Sequence, residues 1–208
     1  MRMRKKKWVD PFIEEENRYI VKDVKPIGHW HEEYSKDKLY LEIGMGMGDF
    51  ITQSAFKNPD ILYVGFEKVT TCVAKSVIKA EELEIDNFRV ILDNADNLEE
   101  YFNDEVDRIY LHFSDPWPKK AHAKRRLTHS KYLNIYRKVL KADGEIIFKT
   151  DNKDLFEFSI PEFINNGFKM TDLSVDYHRR ENDDILTGYE TKFKEMGQPI
   201  YFAKFIKC

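Results

Sequence analysis

The 208-residue sequence predicts an α/β fold with a largely parallel sheet covered on both faces. Three observations carry this. Short apolar runs alternate with segments of helical period almost throughout. A glycine-rich loop follows the first clear apolar run. Polar residues close the successive runs (Glu42, Glu67, Asn94, Asp115 and Asp151) and so share one sheet edge, where open α/β sheets take their ligands.

The elements follow in order. Residues 1–7 form a basic arm, with Trp8 and Phe12 placed to tie its far end to the body. Asp10-Pro11 reads as an N-cap and first helical residue, giving a short helix over Pro11 to Ile20. Residues 22–37 carry a weak signal. Residues 1–37 are therefore expected as an arm with a short helix, and 38–208 as the main domain. Leu39 to Ile43 is a strand, Gly44 to Gly48 a loop, and a helix runs from there through Phe56. Leu62–Glu67 is the second strand, Val69 to about Glu84 a helix, Phe88–Leu92 the third strand, and Leu98 to Phe102 a short helix. Ile109–Leu111 is the fourth strand. Leu127 to Leu140 reads as a helix ending towards Gly144 as a C-terminal cap. Glu145–Thr150 is the fifth strand, followed by a helix through Phe163 and an extended run from Gly167. Asp176 to Pro199 reads as a long polar loop, and Ile200–Ile206 as a closing strand.

Composition narrows the classes. A 42% apolar and 14% aromatic content suits a folded soluble domain. The net charge of -3 gives no global support for nucleic-acid binding, so any such reading rests on local clusters. Two distant cysteines, Cys72 and Cys208, suit a reducing cytoplasm. No apolar run approaches membrane-spanning length, so no membrane association is expected. His112, His122, His129 and His178 show no ligand spacing, and no metal site is expected.

The loop Gly44-Met45-Gly46-Met47-Gly48 has the spacing G-x-G-x-G, which differs from the dinucleotide G-x-G-x-x-G. Glu42 just before it would repel a pyrophosphate and favour a cationic group such as an ammonium, directly or through water. Glu67 stands where an acid can accept from two ribose hydroxyls. Asn94 offers a donor and an acceptor to an adenine edge. Together these imply S-adenosylmethionine and methyl transfer, with S-adenosylhomocysteine as product. Phe113-Ser114-Asp115-Pro116-Trp117-Pro118-Lys119-Lys120 places a carboxylate and a large aromatic on a path stiffened by two prolines. Lys119, Lys124, Arg125 and Arg126 add positive charge at the expected start of a helix, against its dipole, which suggests that the charge is used. Asp151 could serve the site, cap the next helix, or both.

The run Glu42-Ile43-Gly44-Met45-Gly46-Met47-Gly48, then Gly65-Phe66-Glu67, then Phe113 to Lys120 resembles the bacterial tRNA (guanine-N7-)-methyltransferases. Lys124-Arg125-Arg126-Leu127, Phe148-Lys149-Thr150-Asp151 and Thr191-Lys192-Phe193 extend the likeness over nearly the whole chain beyond residue 38. The resemblance implies a class I methyltransferase fold, Rossmann-like, with a seven-stranded, mostly parallel sheet. It implies methylation of N7 on a guanine in the tRNA variable loop, position 46, by a monomer or homodimer. It implies Glu42, Gly44, Gly46, Gly48, Glu67, Asn94 and Asp115 as cofactor positions, with Asp115 also catalytic. Lys119, Asp151, Thr191, Lys192, Phe193 and Lys194 match substrate-contacting positions. Ala121, His122, Ala123, Lys124, Arg125 and Arg126 match the RNA-contacting stretch. Two departures stand out: Ala121 and Ala123 replace residues that are commonly basic or His, and Lys194 stands where Glu is common.

Overall fold

Leu39, Leu41 and Ile43 alternate with Tyr40 and Glu42 along strand β1 (Lys38–Ile43). A period of two sends each set to its own side of the sheet. The same split repeats in β2 (Ile61–Glu67) and β4 (Val106–His112), so the sheet divides the core in two. The computed structural model describes residues 7–15, 17–22, 26–179, 185 and 188–208. The remaining strands are β3 (Phe88–Leu92), β5 (Leu140–Thr150), β6 (Phe168–Ser174) and β7 (Tyr201–Lys207). They form one seven-stranded sheet in the order β3-β2-β1-β4-β5-β7-β6. The strands from β3 to β5 pair in parallel, and β7 pairs antiparallel with β5 and β6. The order reverses between β1 and β4, so the connections after these two strands diverge and leave a crevice at their C-terminal ends.

Helices cover both faces. The described ones are α1 (Val9–Glu14), α2 (Trp30–Tyr34), α3 (Asp49–Lys57), α4 (Thr70–Glu82), α5 (Ser130–Val139), α6 (Lys153–Asn165) and α7 (Gly188–Glu195). Ile51 of α3 and Val73 and Val77 of α4 pack with Tyr63, Val90 and Tyr110 on one face. Leu133 and Tyr136 of α5 and Phe156 and Phe163 of α6 pack with Leu41, Val64, Ile109 and Phe148 on the other. This is the mostly parallel, doubly covered sheet that the alternating pattern predicts.

Several expectations are corrected. The first helix ends at Glu14, well short of Ile20. Its chain turns where Asn17 accepts from the Tyr19 amide, and Ile20 then bridges to Val90 of β3. Asp10 lies inside the first turn, because buried Val9 begins the helix two residues before Pro11. The weak stretch 22–37 contains α2. Its Trp30 is fully buried, donates Nε1–H to the Tyr101 carbonyl at 2.8 Å, and stacks on Phe102. The short helix expected at Leu98–Phe102 is a 3-10 helix over Ala95–Glu100. The helix expected from Leu127 starts at Ser130, and Lys120–Arg125 form a separate 3-10 helix. Gly144 caps no helix. It lies within β5, where an added Cβ would stand 2.8 Å from Leu140 Cδ2 and 3.0 Å from the Lys141 carbonyl. The polar stretch 176–199 holds a 3-10 turn at Tyr177–Arg179 and the helix α7. Apart from Lys7, the basic arm over residues 1–7 lies outside the described residues.

Candidate active site

The glycine loop sits between β1 and α3 with Gly44, Gly46 and Gly48 at φ +74°, +57° and +75°. These left-handed values explain the residue choice, since a Cβ penalises them. Gly46 has open space where a Cβ would go. At Gly48 a Cβ would lie 2.6 Å from Ser76 Cβ, on the buried face of α4. Gly46→Ala should therefore cost about 1–2 kcal/mol, the left-handed penalty alone. Gly48→Ala should cost that and about 1–3 kcal/mol more for overpacking against α4. Urea unfolding of the two variants checks the difference, and equal losses would show that α3 and α4 yield freely.

Ahead of that loop lies a cavity of about 570 Å³, in the range of small-molecule sites. It occupies the crevice at the strand ends. Gly44, Glu67, Asn94 and Asp115 all line it, from the ends of β1, β2, β3 and β4. Phe66, Val69, Ala95 and Leu127 supply apolar wall, and Trp117 and Arg125 stand at the Asp115 side. Backbone N–H groups hold the Glu67 carboxylate: Lys68 and Val69 donate to Oε1 at 2.9 and 3.0 Å, and Gly46 to Oε2 at 3.1 Å. An acid fixed this way still has lone pairs for hydroxyl donors. Asn94 is exposed at the cavity, and its side-chain oxygen accepts from Asp96 N at 3.4 Å, so it caps the 3-10 helix as well. An acid, an exposed amide, an apolar slot and an open glycine backbone together fit a nucleoside.

Glu42 is off the cavity wall. It is buried behind the loop, with Oε1 3.3 Å from Nδ1 of His112. Its Oε2, and both nitrogens of His112, find no hydrogen-bond partner among the described residues. Burial pushes the Glu42 carboxyl well above its usual range, and Asp49, Glu67 and Glu190 add to this against Lys149. Burial, with Lys149, holds His112 well below the usual imidazole range. The Glu42 oxygen left without a partner behind the loop is open to a donor group, directly or through a water.

Asp115 is exposed, on a loop bracketed by two non-glycine residues in left-handed backbone, Phe113 at φ +50° and Trp117 at φ +42°. Arg125 lies over the Trp117 ring at 4.9 Å, and His122 meets its edge. Arg126 turns inward: Nε and Nη2 each donate at 3.0 Å, to the carbonyls of Pro116 and Trp117. The basic cluster thus sits on a 3-10 helix before α5, so the dipole argument for its use does not hold. Two of its cations are engaged with the Asp115 loop, while Lys119 and Lys124 are exposed. Ala121 is also exposed, and Ala123 half-buried.

Asp151 does not cap α6; Asn152 does, accepting from Leu155 N at 2.8 Å. Asp151 instead accepts from the Tyr189 hydroxyl at 3.4 Å, and the Tyr189 ring packs on Phe113 at 5.1 Å. Helix α7 thereby joins the ends of β4 and β5. Phe193 packs on Tyr189, while Thr191 and Lys194 are exposed. The Lys192 side chain lies outside the described ones. The acid of this helix that meets the sheet is Glu190, buried and 3.1 Å from the buried Lys149 Nζ. Tyr189, Glu190, Lys149 and His112 do not line the cavity but pack beside its Asp115 and Asp151 end, and the pairing of Lys149 with Glu190 is not foreshadowed in the sequence. A Lys in a strand and an acid in a polar stretch read as solvent-facing, and only the fold pairs them.

Comparison with known proteins adds a family. A family model described as "Putative methyltransferase" matches residues 36–203. The tRNA (guanine-N(7)-)-methyltransferase of Staphylococcus haemolyticus is 45% identical, covering 100% of this chain and 99% of its own. That of Bacillus licheniformis is 42% identical over 97% of this chain and 96% of its own. Among solved structures, an antibiotic-related methyltransferase superposes with a TM-score of 0.65 at 18% identity, over 89% of this chain and 95% of its own, a likeness of fold.

Proposed function

The chain belongs to the tRNA (guanine-N(7)-)-methyltransferase family, and from that premise we propose that it moves the methyl group of S-adenosylmethionine onto N7 of a guanine in the tRNA variable loop, at position 46. The observation that carries this reading is the meeting of Gly44, Glu67, Asn94 and Asp115 on one cavity at the switch in strand order. When bound, S-adenosylmethionine supplies an electrophilic methyl: its carbon–sulfur bond breaks as the bond to N7 forms, and sulfur keeps the electron pair. Glu67 would hold the ribose hydroxyls and Asn94 the adenine edge. Glu42 would act on the ammonium through the glycine loop or a bridging water. Guanine N7 carries no proton, so the protein needs no base there. Asp115 would accept from N1–H and the amino group of the guanine and favour the positive charge growing on the ring. Asp151, joined to Asp115's loop through Tyr189 and Phe113, would share the base edge. Lys119 and Lys124 would meet phosphates. Such an enzyme works where tRNA is, in the cytoplasm.

Incubation with labelled S-adenosylmethionine and bulk tRNA, then nucleoside analysis, tests the reading. Label in 7-methylguanosine is expected. Label at N1 of guanine, in protein or in another RNA alone would overturn it.

Glu42 gives a second test. Its folded value lies above the unfolded one, so folding takes up a proton between the two. That contribution is fully present below the usual carboxylate value and is lost as pH rises through the raised value. The Glu42 share of ligand-free stability should fall over that window, opposed by His112, whose lowered value makes its own share rise with pH up to the usual imidazole value. Glu42→Gln should abolish the fall and weaken S-adenosylmethionine binding by about tenfold, some 1.4 kcal/mol. Melting curves against pH, with and without S-adenosylmethionine, read both effects. An unchanged pH profile with unchanged ligand shift would remove Glu42 from the site.

A further inference from the structure

The Asp115 loop stores backbone strain. Trp117 holds φ +42° and Phe113 φ +50°, and a bulky side chain in this region persists only where its surroundings over-determine it. Phe113 is fixed from the sheet side, where its N–H donates to the Lys149 carbonyl at 2.9 Å and its ring packs on Tyr189. On the far side of Asp115 the fixing group is Arg126. Its planar fork spans two successive carbonyls, Pro116 O through Nε and Trp117 O through Nη2, both at 3.0 Å. Its guanidinium lies over the Phe158 ring of α6 at 4.3 Å. The Arg126 N–H closes the preceding turn on the Ala123 carbonyl at 3.0 Å. Arg126 is half-buried, whereas its neighbours Lys124 and Arg125 are exposed.

We propose that Arg126 is a positioning residue for methyl transfer: it clamps the Pro116 and Trp117 carbonyls against α6 and so sets the placement of Asp115, and it makes no phosphate contact with RNA. This separates it from the basic run in which it sits. A phosphate contact needs charge, which Lys supplies as well as Arg. Two carbonyls at fixed spacing and a flat aromatic platform need the fork and plane of a guanidinium. The inference rests on the methyl-transfer reading above.

The test uses the full-length protein with tRNA and labelled S-adenosylmethionine. Arg126→Lys should lower the single-turnover rate at saturating tRNA and S-adenosylmethionine by about tenfold to a hundredfold, the scale of a misplaced catalytic group. Its tRNA Kd, and the slope of log Kd against log salt, should match the parent's. Lys124→Ala should instead reduce that slope by about one. Phe158→Leu, which leaves the charge in place and removes the platform, should also slow transfer with an unchanged slope, and it serves if Arg126→Lys does not fold. The proposal is overturned if Arg126→Lys transfers at the parent rate, if Phe158→Leu does, or if Arg126→Gln lowers the salt slope as Lys124→Ala does. Absence of transfer by the parent protein would instead overturn the methyl-transfer reading, so the two failures are distinct.

Discussion

Asp115→Asn is expected to lower the single-turnover rate of methyl transfer by about 10²–10³-fold, the scale of removing one preorganised electrostatic group from a transition state. The substitution keeps the size of the side chain and the stiffened Pro116–Pro118 path, so the loop should hold its shape. It removes the negative charge and replaces one acceptor with an amide NH2. Facing the N1–H and amino donors of guanine, that NH2 has nothing to accept it. Nucleophilic attack from N7 places a positive charge on the purine, and a neutral amide does less for it than a carboxylate. Because Asp115 is exposed at the cavity rim, tRNA affinity, which is carried mainly by phosphate contacts, should change little. The rate at saturation, with tRNA Kd by filter binding, separates the two. Full transfer with unchanged affinity would show that the charge on Asp115 plays no part.

The sheet was legible because strands β1 to β5 are apolar runs with polar ends, and burial on both faces demands such runs. The glycine loop was legible because left-handed backbone at three positions leaves little choice of residue. The helices α2 and α7 were not. Each turns few apolar residues inward: Trp30 in α2, and Phe193 in α7, where Tyr189 stays exposed. Such short amphipathic pieces carry too little period to stand out from a polar loop. Gly144 misled because a glycine after a helical run serves equally as a cap or as a close approach of backbone. Among the site residues, those on the cavity wall were readable from their places at strand ends. Arg126 was not separable from Lys124 and Arg125, since spacing in a basic run does not reveal which cation turns inward. Lys149 and Glu190 are about forty residues apart, and only the packing of α7 on β5 brings them together.

That pair supports the last expectation. Lys149 and Glu190 are both almost wholly buried, 2% and 1% exposed by side chain, and 3.1 Å apart. Lys149 Nζ also lies over the Tyr177 ring at 4.5 Å. Desolvating two charges costs more than a solvent-facing pair could return, so the pair alone is weak evidence for stability. Removing one partner is another matter, because it takes from the other buried charge its contact at 3.1 Å. Glu190→Ala should therefore destabilise the protein by about 3–5 kcal/mol, and Lys149→Met by a similar amount. The double variant Lys149→Met/Glu190→Leu should recover most of that loss, since apolar groups of like volume often match a buried pair. If the pair seats α7, whose Tyr189 reaches Asp151 and Phe113, the recovery should be thermodynamic and catalytic together. Urea unfolding of the three proteins gives the coupling energy, and methyl transfer to tRNA gives the functional half. A Glu190→Ala protein as stable as the parent would mean that the pair does not hold α7. A double variant that regains stability while transferring no methyl would show instead that Lys149 or Glu190 acts directly on the substrate.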